Sequence, residues 1–164
     1  MRIAIHQPNF LPWMGYFFKM AHCDTFVILD HVEFTKNSFT KRVKIHKADD
    51  WQEDQYITVP LQKHSDHAGI NTLTIADNEH WQQKIKASIH QTYHKSPFYH
   101  QVEPLLERFF TRLLPSNSFS EFTIQIIQYI AELLGLKPEW IVSSDLDADY
   151  SGIDVNLDLV LHLE

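Results

Sequence analysis

Apolar and polar positions change period twice along the chain, and those changes outline the elements. "RIAI" (residues 2–5) is a short β-branched run closed off by Pro8, which predicts a buried first strand. In "GYFFKMAHC", Tyr16, Phe17, Met20 and Ala21 fall at helical spacing, so a helix is expected from near Pro12 to near Asp24. "TFVILD" (25–30) is continuously apolar up to Asp30, the signature of a strand covered on both faces. Strand, helix and strand in so short a span predict a βαβ unit with a right-handed crossover. "RVKIH" and "QYITVPL" read as two further strands around the polar turn "KADDWQED", and "INTLTI" as an edge strand.

The period then lengthens. Trp81, Ile85, Ile89 and Tyr93 recur every fourth residue, giving an amphipathic helix with Asp77 or Asn78 as its cap. "YHQVEPLLERFFTRLL" continues as helix, with Pro104 expected in the first turn, where its missing N–H costs nothing. Ser118 and Glu121 have capping-box spacing ahead of "FTIQIIQYIAELLG", and Gly135 is the expected left-handed stop. "WIVSS" reads as one more buried strand. "DVNLDLVLHL" fits either period, and helix is the preferred reading. The predicted fold is α/β: a Rossmann-like βαβ start with a mixed sheet, then a helical second half. One domain is expected over 1–164, strand-rich over 1–76 and mostly helical over 77–162. Leu163-Glu164 is either native or a cloning scar, and the scar reading implies a C-terminally truncated domain.

Composition narrows the function. With 14 Lys plus Arg against 21 Asp plus Glu, the net charge of −7 argues against a broad nucleic-acid surface. No run of eighteen apolar residues spans a bilayer, and one cysteine, Cys23, allows no intrachain disulfide; a cytoplasmic location is expected. Four glycines include no phosphate loop and no dinucleotide fingerprint, and there is no Gly-x-Ser-x-Gly elbow. No cofactor is predicted. Eleven histidines invite a metal-dependent hydrolase as a third hypothesis, since His90 and His94 lie four apart and "HSDH" holds His64 and His67. No glutamate follows His90 as in zinc hydrolases, so no metal site is assigned.

The stretch "HQPNFLPWMGYF" (6–17) concentrates two prolines, one glycine and four aromatics where a βα loop leaves the first strand, the place where α/β proteins collect ligands. His6 is assigned an acid/base or hydrogen-bonding role, Gln7 and Asn9 amide contacts, Gly15 close approach, and Trp13 and Tyr16 a stacking wall. Asp30 and Glu33, at the end of the second strand, are candidates for substrate hydroxyls. From Lys36 to Lys47 the chain holds five cations and no acid, a local reversal of sign that points to an anion held by Lys36, Asn37 and Arg42. His6, Asp30 and Lys36 are the expected catalytic set. The structural alternative makes the prolines and aromatics a hydrophobic staple and the cations a solvated face.

"IHQPNFLPWMGYFFKMAHCDTFVILDHVEFTKNSF" resembles the opening of the WbqC-like family, in which a "QPNFLPWxGYF" loop precedes "sDvFVxLDdVqFxKns" and an Asn/Arg-rich strand. "YITVPL", Trp81, the Tyr93–Phe98 segment and "SSDL" at 143–146 are further echoes. Asp30, Lys36, Asn37 and Arg42 match the pattern; His31, Thr40, Lys41 and Val43 depart from it. Relatives run on past "SSDL" into a Gly-rich "GA..YLSG" segment that this chain lacks, which supports truncation. The resemblance implies work on an activated sugar in bacterial surface-polysaccharide (lipopolysaccharide O-antigen) synthesis. A transferase acting on a nucleotide-linked or other anionic sugar or acyl substrate is therefore the first hypothesis, and a non-catalytic module binding such a ligand or a pathway enzyme is the second. The family loop also sits where nucleotidylyltransferases carry "HxGH"; here it reads "WMGY", so charge on a phosphate would fall to His6, Lys36 or Arg42.

Overall fold

The computed structural model describes residues 1–48, 50–76, 80–112, 117–146, 156 and 160. Strand β1 (Ile3–His6), helix α1 (Met14–Ala21) and strand β2 (Thr25–Ile28) form the expected βαβ start, with Ile3 opposite Thr25 and His6 opposite Ile28 in parallel register. The hairpin β3 (Arg42–His46) and β4 (Asp54–Thr58) follows, then α2 (Trp81–Tyr93), α3 (Tyr99–Arg112), α4 (Phe119–Leu133) and β5 (Glu139–Val142). Strand β5 pairs parallel with β2, so β2 is central in the order β1-β2-β5. The antiparallel hairpin does not join this sheet and stands as a second one.

Every residue of β2 is buried, as its unbroken apolar run requires. Phe26 and Ile28 face α1 and α4, against Tyr16, Phe17, Met20, Ile127 and Ala131, while Val27 and Leu29 take the opposite face with Ile3, Ile5 and Ile141. A larger core gathers Ile45 and Ile57 of the hairpin, Ile85 and Ile89 of α2, Phe109 and Phe110 of α3, and Phe119, Phe122 and Ile126 of α4. Helix α4 thus belongs to both cores, and its apolar surface couples the parallel sheet to the hairpin.

The ends of α4 are set by local chemistry. Ser118 accepts a hydrogen bond from the Glu121 N–H at 3.3 Å, the expected cap. At the other end Gly135 has φ +71°, its N–H donates to the Glu132 carbonyl, and the Leu136 N–H reaches back to Ala131 at 2.8 Å. That pair of bonds is a Schellman closure, which needs the left-handed residue that glycine provides.

Three local expectations differ from the structure, and a fourth falls outside the described residues. Helix α1 begins at Met14 instead of Pro12, because Trp13 is still extended. "INTLTI" forms a 3-10 turn (Ile70–Thr72) and isolated bridges instead of a strand: its N–H groups are taken singly by Val32, Asp30 and Asn117, so no ladder can grow. Helix α2 is preceded by His80 at φ 79°, and the proposed caps Asp77 and Asn78 lie outside the described residues. Pro104 stands five residues after Tyr99, beyond the first turn of α3. Of the ambiguous final stretch, Asn156 and Val160 are described, and both are helical. Among the described residues no helix is long and apolar enough to cross a membrane.

Candidate ligand-binding cleft

The loop leaving β1 is anchored at its middle. Phe10 is almost fully buried, stacks toward Phe122 with ring centroids 6.1 Å apart, and its N–H donates to the Thr40 carbonyl at 2.8 Å. That bond draws the loop against the segment entering β3. Leu11 turns the chain with φ 46°, a left-handed conformation that is unfavourable for leucine and more so ahead of a proline. Between the loop and β3 lies a cleft of about 510 Å³. His6, Asn9 and Trp13 line one side, and Phe39, Arg42 and Lys44 the other. The two parts of the chain singled out by sequence therefore do enclose a common hollow.

Arg42 is held from two directions. Its Nη2 donates to the Asn37 carbonyl at 2.5 Å, and its guanidinium carbon stacks 4.4 Å from the centroid of the Tyr56 ring. Asn37 adopts φ 68°, which asparagine tolerates, so it contributes through its backbone by aiming that carbonyl. The Nε atom of Arg42 is buried and has no hydrogen-bond partner. Leaving a buried donor unmet costs about 1–3 kcal/mol. Lys44 lies two residues along the strand and therefore on the same face, ion-paired with Asp54.

His6 sits at the carboxyl end of β1 with its ring 4.6 Å from that of Tyr16. Its Nδ1 lies 3.1 Å from the Gln7 carbonyl, which can only accept, so Nδ1 carries the proton and Nε2 keeps its lone pair in the neutral ring. Burial lowers the pKa of His6 below its ordinary 6.5, outweighing that hydrogen bond, and the nearby Lys19 ammonium lowers it further. Gln7 also receives the Tyr16 hydroxyl on its carbonyl at 3.3 Å and the Thr40 hydroxyl on its side chain at 3.4 Å.

The other predicted site residues are dispersed. Tyr16 is 1% exposed and packed against Phe17 and Phe26; burial pushes its phenol far above the usual range, and it serves the core, not a stacking wall. Gly15 makes room for protein, since a Cβ there would lie 2.0 Å from the Trp13 indole that folds over it. Trp13 itself is 72% exposed on the cleft rim. Lys36 is ion-paired with Asp66 on the surface, and Glu33 with His67 at 3.0 Å; neither lines the cleft.

Asp30 is buried elsewhere, at the carboxyl edge of the parallel sheet. Its side chain accepts four hydrogen bonds, from the Ser120, Ser143 and Ser144 hydroxyls and the Ser144 N–H, at 2.9–3.1 Å. It ties the end of β2 to the start of α4 and the turn after β5. It also borders a second hollow of about 540 Å³, whose charged lining residues, Asp30, Glu121 and Asp145, are all acidic. His6, Asp30 and Lys36 are therefore not brought to one point.

Among the described residues no cluster of three or more His, Cys, Asp or Glu could hold a metal. The His90 and His94 rings stack 5.2 Å apart, with His94 Nδ1 turned to the His90 carbonyl. Sequence reasoning missed Phe39, Leu11 and Lys44. Only Lys44 had a signal, the two-residue alternation with Arg42.

An α/β protein with a cationic, aromatic-rimmed cleft beside its first βα loop is the class these features define. The chain belongs to the WbqC-like protein family, whose pattern it matches over residues 7–164. It is also similar to an uncharacterised protein of Mycobacterium tuberculosis, Rv1507c, with 38% identity over 81 residues. That match covers 49% of this chain and 33% of the relative's length. No solved structure matches this chain.

Proposed function

We propose that the chain recognises an anionic, activated sugar or acyl compound of bacterial surface-polysaccharide synthesis, with Arg42 as the principal contact and His6, Asn9 and Lys44 around it. The observation that carries this reading is the Arg42 guanidinium in the wall of the cleft, with no carboxylate paired to it among the described residues. A phosphate or carboxylate oxygen would gain a charge-assisted bond from the guanidinium. The hollow at the sheet edge offers an anion no cation among its described lining residues, and its carboxylates oppose one. Trp13 and Phe39, both exposed at the rim, supply flat faces for a base or sugar ring.

Recognition is favoured over catalysis because two of the three groups first assigned to chemistry lie outside the cleft. The transferase reading rests on one group, His6: a neutral imidazole with a free Nε2 at the cleft wall is equipped to take a proton from an attacking hydroxyl. The test is a thermal-shift screen against nucleotides, nucleotide sugars, sugar phosphates and acyl carriers, repeated on Arg42→Met. A ligand at a hundred times its Kd adds about 2.7 kcal/mol to stability, so an anion in these classes should raise the melting temperature of the wild type and not of the variant. No response from any class, or an equal response from Arg42→Met, would overturn the proposal. Turnover of the ligand that is lost in His6→Gln would decide for the transferase.

A further inference from the structure

The cleft adjoins a larger hollow of a different kind. An open groove of about 680 Å³ runs between the hairpin, α2, α3 and the end of α4. Ile45, Ile57, Ile89, Val102, Phe109 and Leu133 are among its walls, and among the described residues no charged one lines it. Several of its apolar side chains face water: Phe98 is 68% exposed, Leu133 52% and Val102 41%. Contiguous apolar surface left open to water marks sites of protein, membrane or ligand contact.

Two observations say what belongs there. Leu11 and Val43 line both the groove and the Arg42 cleft, so the two hollows meet at these residues. Leu11 is also the residue held at φ 46° ahead of Pro12, and strained backbone persists where the surrounding structure enforces it. Among the described residues charge lies at one end only: Arg42 and Lys44 stand in the cleft, and the groove beyond has none. An extended peptide in the groove would leave the N–H and C=O groups turned to the wall unmet, because the described walls offer almost nothing to bond them. A hydrocarbon chain has no such groups.

We infer that the ligand is an amphiphile: an anionic head on Arg42 in the cleft and a single alkyl or acyl chain along the groove. The inference rests on the cleft reading for its head and adds the chain. Alkyl phosphates of increasing length, kept below their micellar concentrations and titrated calorimetrically beside inorganic phosphate and n-alkanols, test both parts. Each added methylene should tighten binding by up to about fourfold, the equivalent of ~0.8 kcal/mol, until the groove is filled. Val102→Asp and Phe98→Asp, changes at exposed positions, should each abolish that gain with length, and Arg42→Met should weaken every phosphate. If short phosphates bind and length adds nothing, the chain assignment fails while the cleft reading stands. If alkanols bind as tightly as the phosphates, the head assignment fails and the groove stands. If sedimentation shows a dimer that Val102→Asp dissociates, the groove is a contact between copies and the inference is overturned.

Discussion

Replacing Asp30 separates a structural role from a chemical one. Its side chain accepts four hydrogen bonds from three serines, and its own N–H donates to Ser143 Oγ at 3.0 Å. In Asp30→Ala the donors on Ser120, Ser144 and the Ser144 N–H lose their acceptor, while the Ser143 hydroxyl can turn to His31 Nδ1, 2.7 Å away, once the ring takes the tautomer that leaves Nδ1 unprotonated. At about 1 kcal/mol net per bond, and more where the acceptor is ionised, the loss comes to about 3–4 kcal/mol. Against a total of roughly 5–15 kcal/mol that is a large share. Asp30→Asn should behave differently. An amide oxygen placed at Oδ1 keeps the Ser143 hydroxyl and the Ser144 N–H, and the amide NH2 at Oδ2 can donate to the Ser120 and Ser144 hydroxyl oxygens, which accept as readily as they donate. Its cost should stay near ~1 kcal/mol, one bond's worth. Urea unfolding followed by far-ultraviolet circular dichroism reads the difference: with a slope of about 2 kcal/mol per molar, the Ala midpoint should fall by about 1.5–2 M and the Asn midpoint by about 0.5 M. An Ala midpoint at the wild-type value would refute the clamp. An Asn protein of wild-type stability that no longer binds or turns over ligand would refute the structural assignment and return Asp30 to the chemistry.

Three further outcomes follow from single features. Pro104→Ala should stabilise the protein by about 1–3 kcal/mol, because it restores an N–H beyond the first turn of α3 and removes the ring's clash with the preceding turn; calorimetry showing no gain would mean the turn is adapted to proline. Gly15→Ala should keep or raise thermal stability by up to about 1 kcal/mol yet swing the Trp13 indole off position 15, visible as a shift in tryptophan emission and weaker ligand binding. For His6 the folded-state pKa lies below 6.5, so between the two values the unfolded chain holds more protons, stability rises with pH, and it is lost as pH falls through that window. Stability measured from pH 5 to 7 should therefore be flatter in His6→Gln than in the wild type; identical slopes would show that the histidine does not carry the effect.

The elements were legible because burial imposes period. The apolar run of β2, the four-residue spacing of α2 and the Ser118 and Gly135 signals around α4 each correspond to a face or an end that physical chemistry demands. The roles within the "HQPNFLPWMGYF" loop were not legible, because its aromatics are interchangeable by type and distinguished only by tertiary placement. Phe10 and Tyr16 point inward, Trp13 outward, and Gly15 serves Trp13. Charge patterning found Arg42 but could not rank it above Lys36, since both lie in one basic segment. The turn at Asn37, with its positive φ, aims a carbonyl at Arg42, which β3 and the Tyr56 ring hold in the cleft, while Lys36 pairs with Asp66.

The position of the cleft follows from the strand order. In a doubly wound sheet the crevice for ligands opens where successive crossovers run in opposite directions from one strand. Here β1, β2 and β5 are laid down in one direction, so among these strands there is no such reversal. The carboxyl edge beside β2 is instead tied together by Asp30 and the three serines it gathers, and the charged groups around the hollow left there are acidic. What the first loop can still reach is the segment drawn to it by the Phe10–Thr40 hydrogen bond, which enters a hairpin outside the parallel sheet. The recognition surface is therefore built sideways, between the first βα loop and that hairpin. Its polar end is supplied by β3 and its apolar continuation by the helices that cover the hairpin.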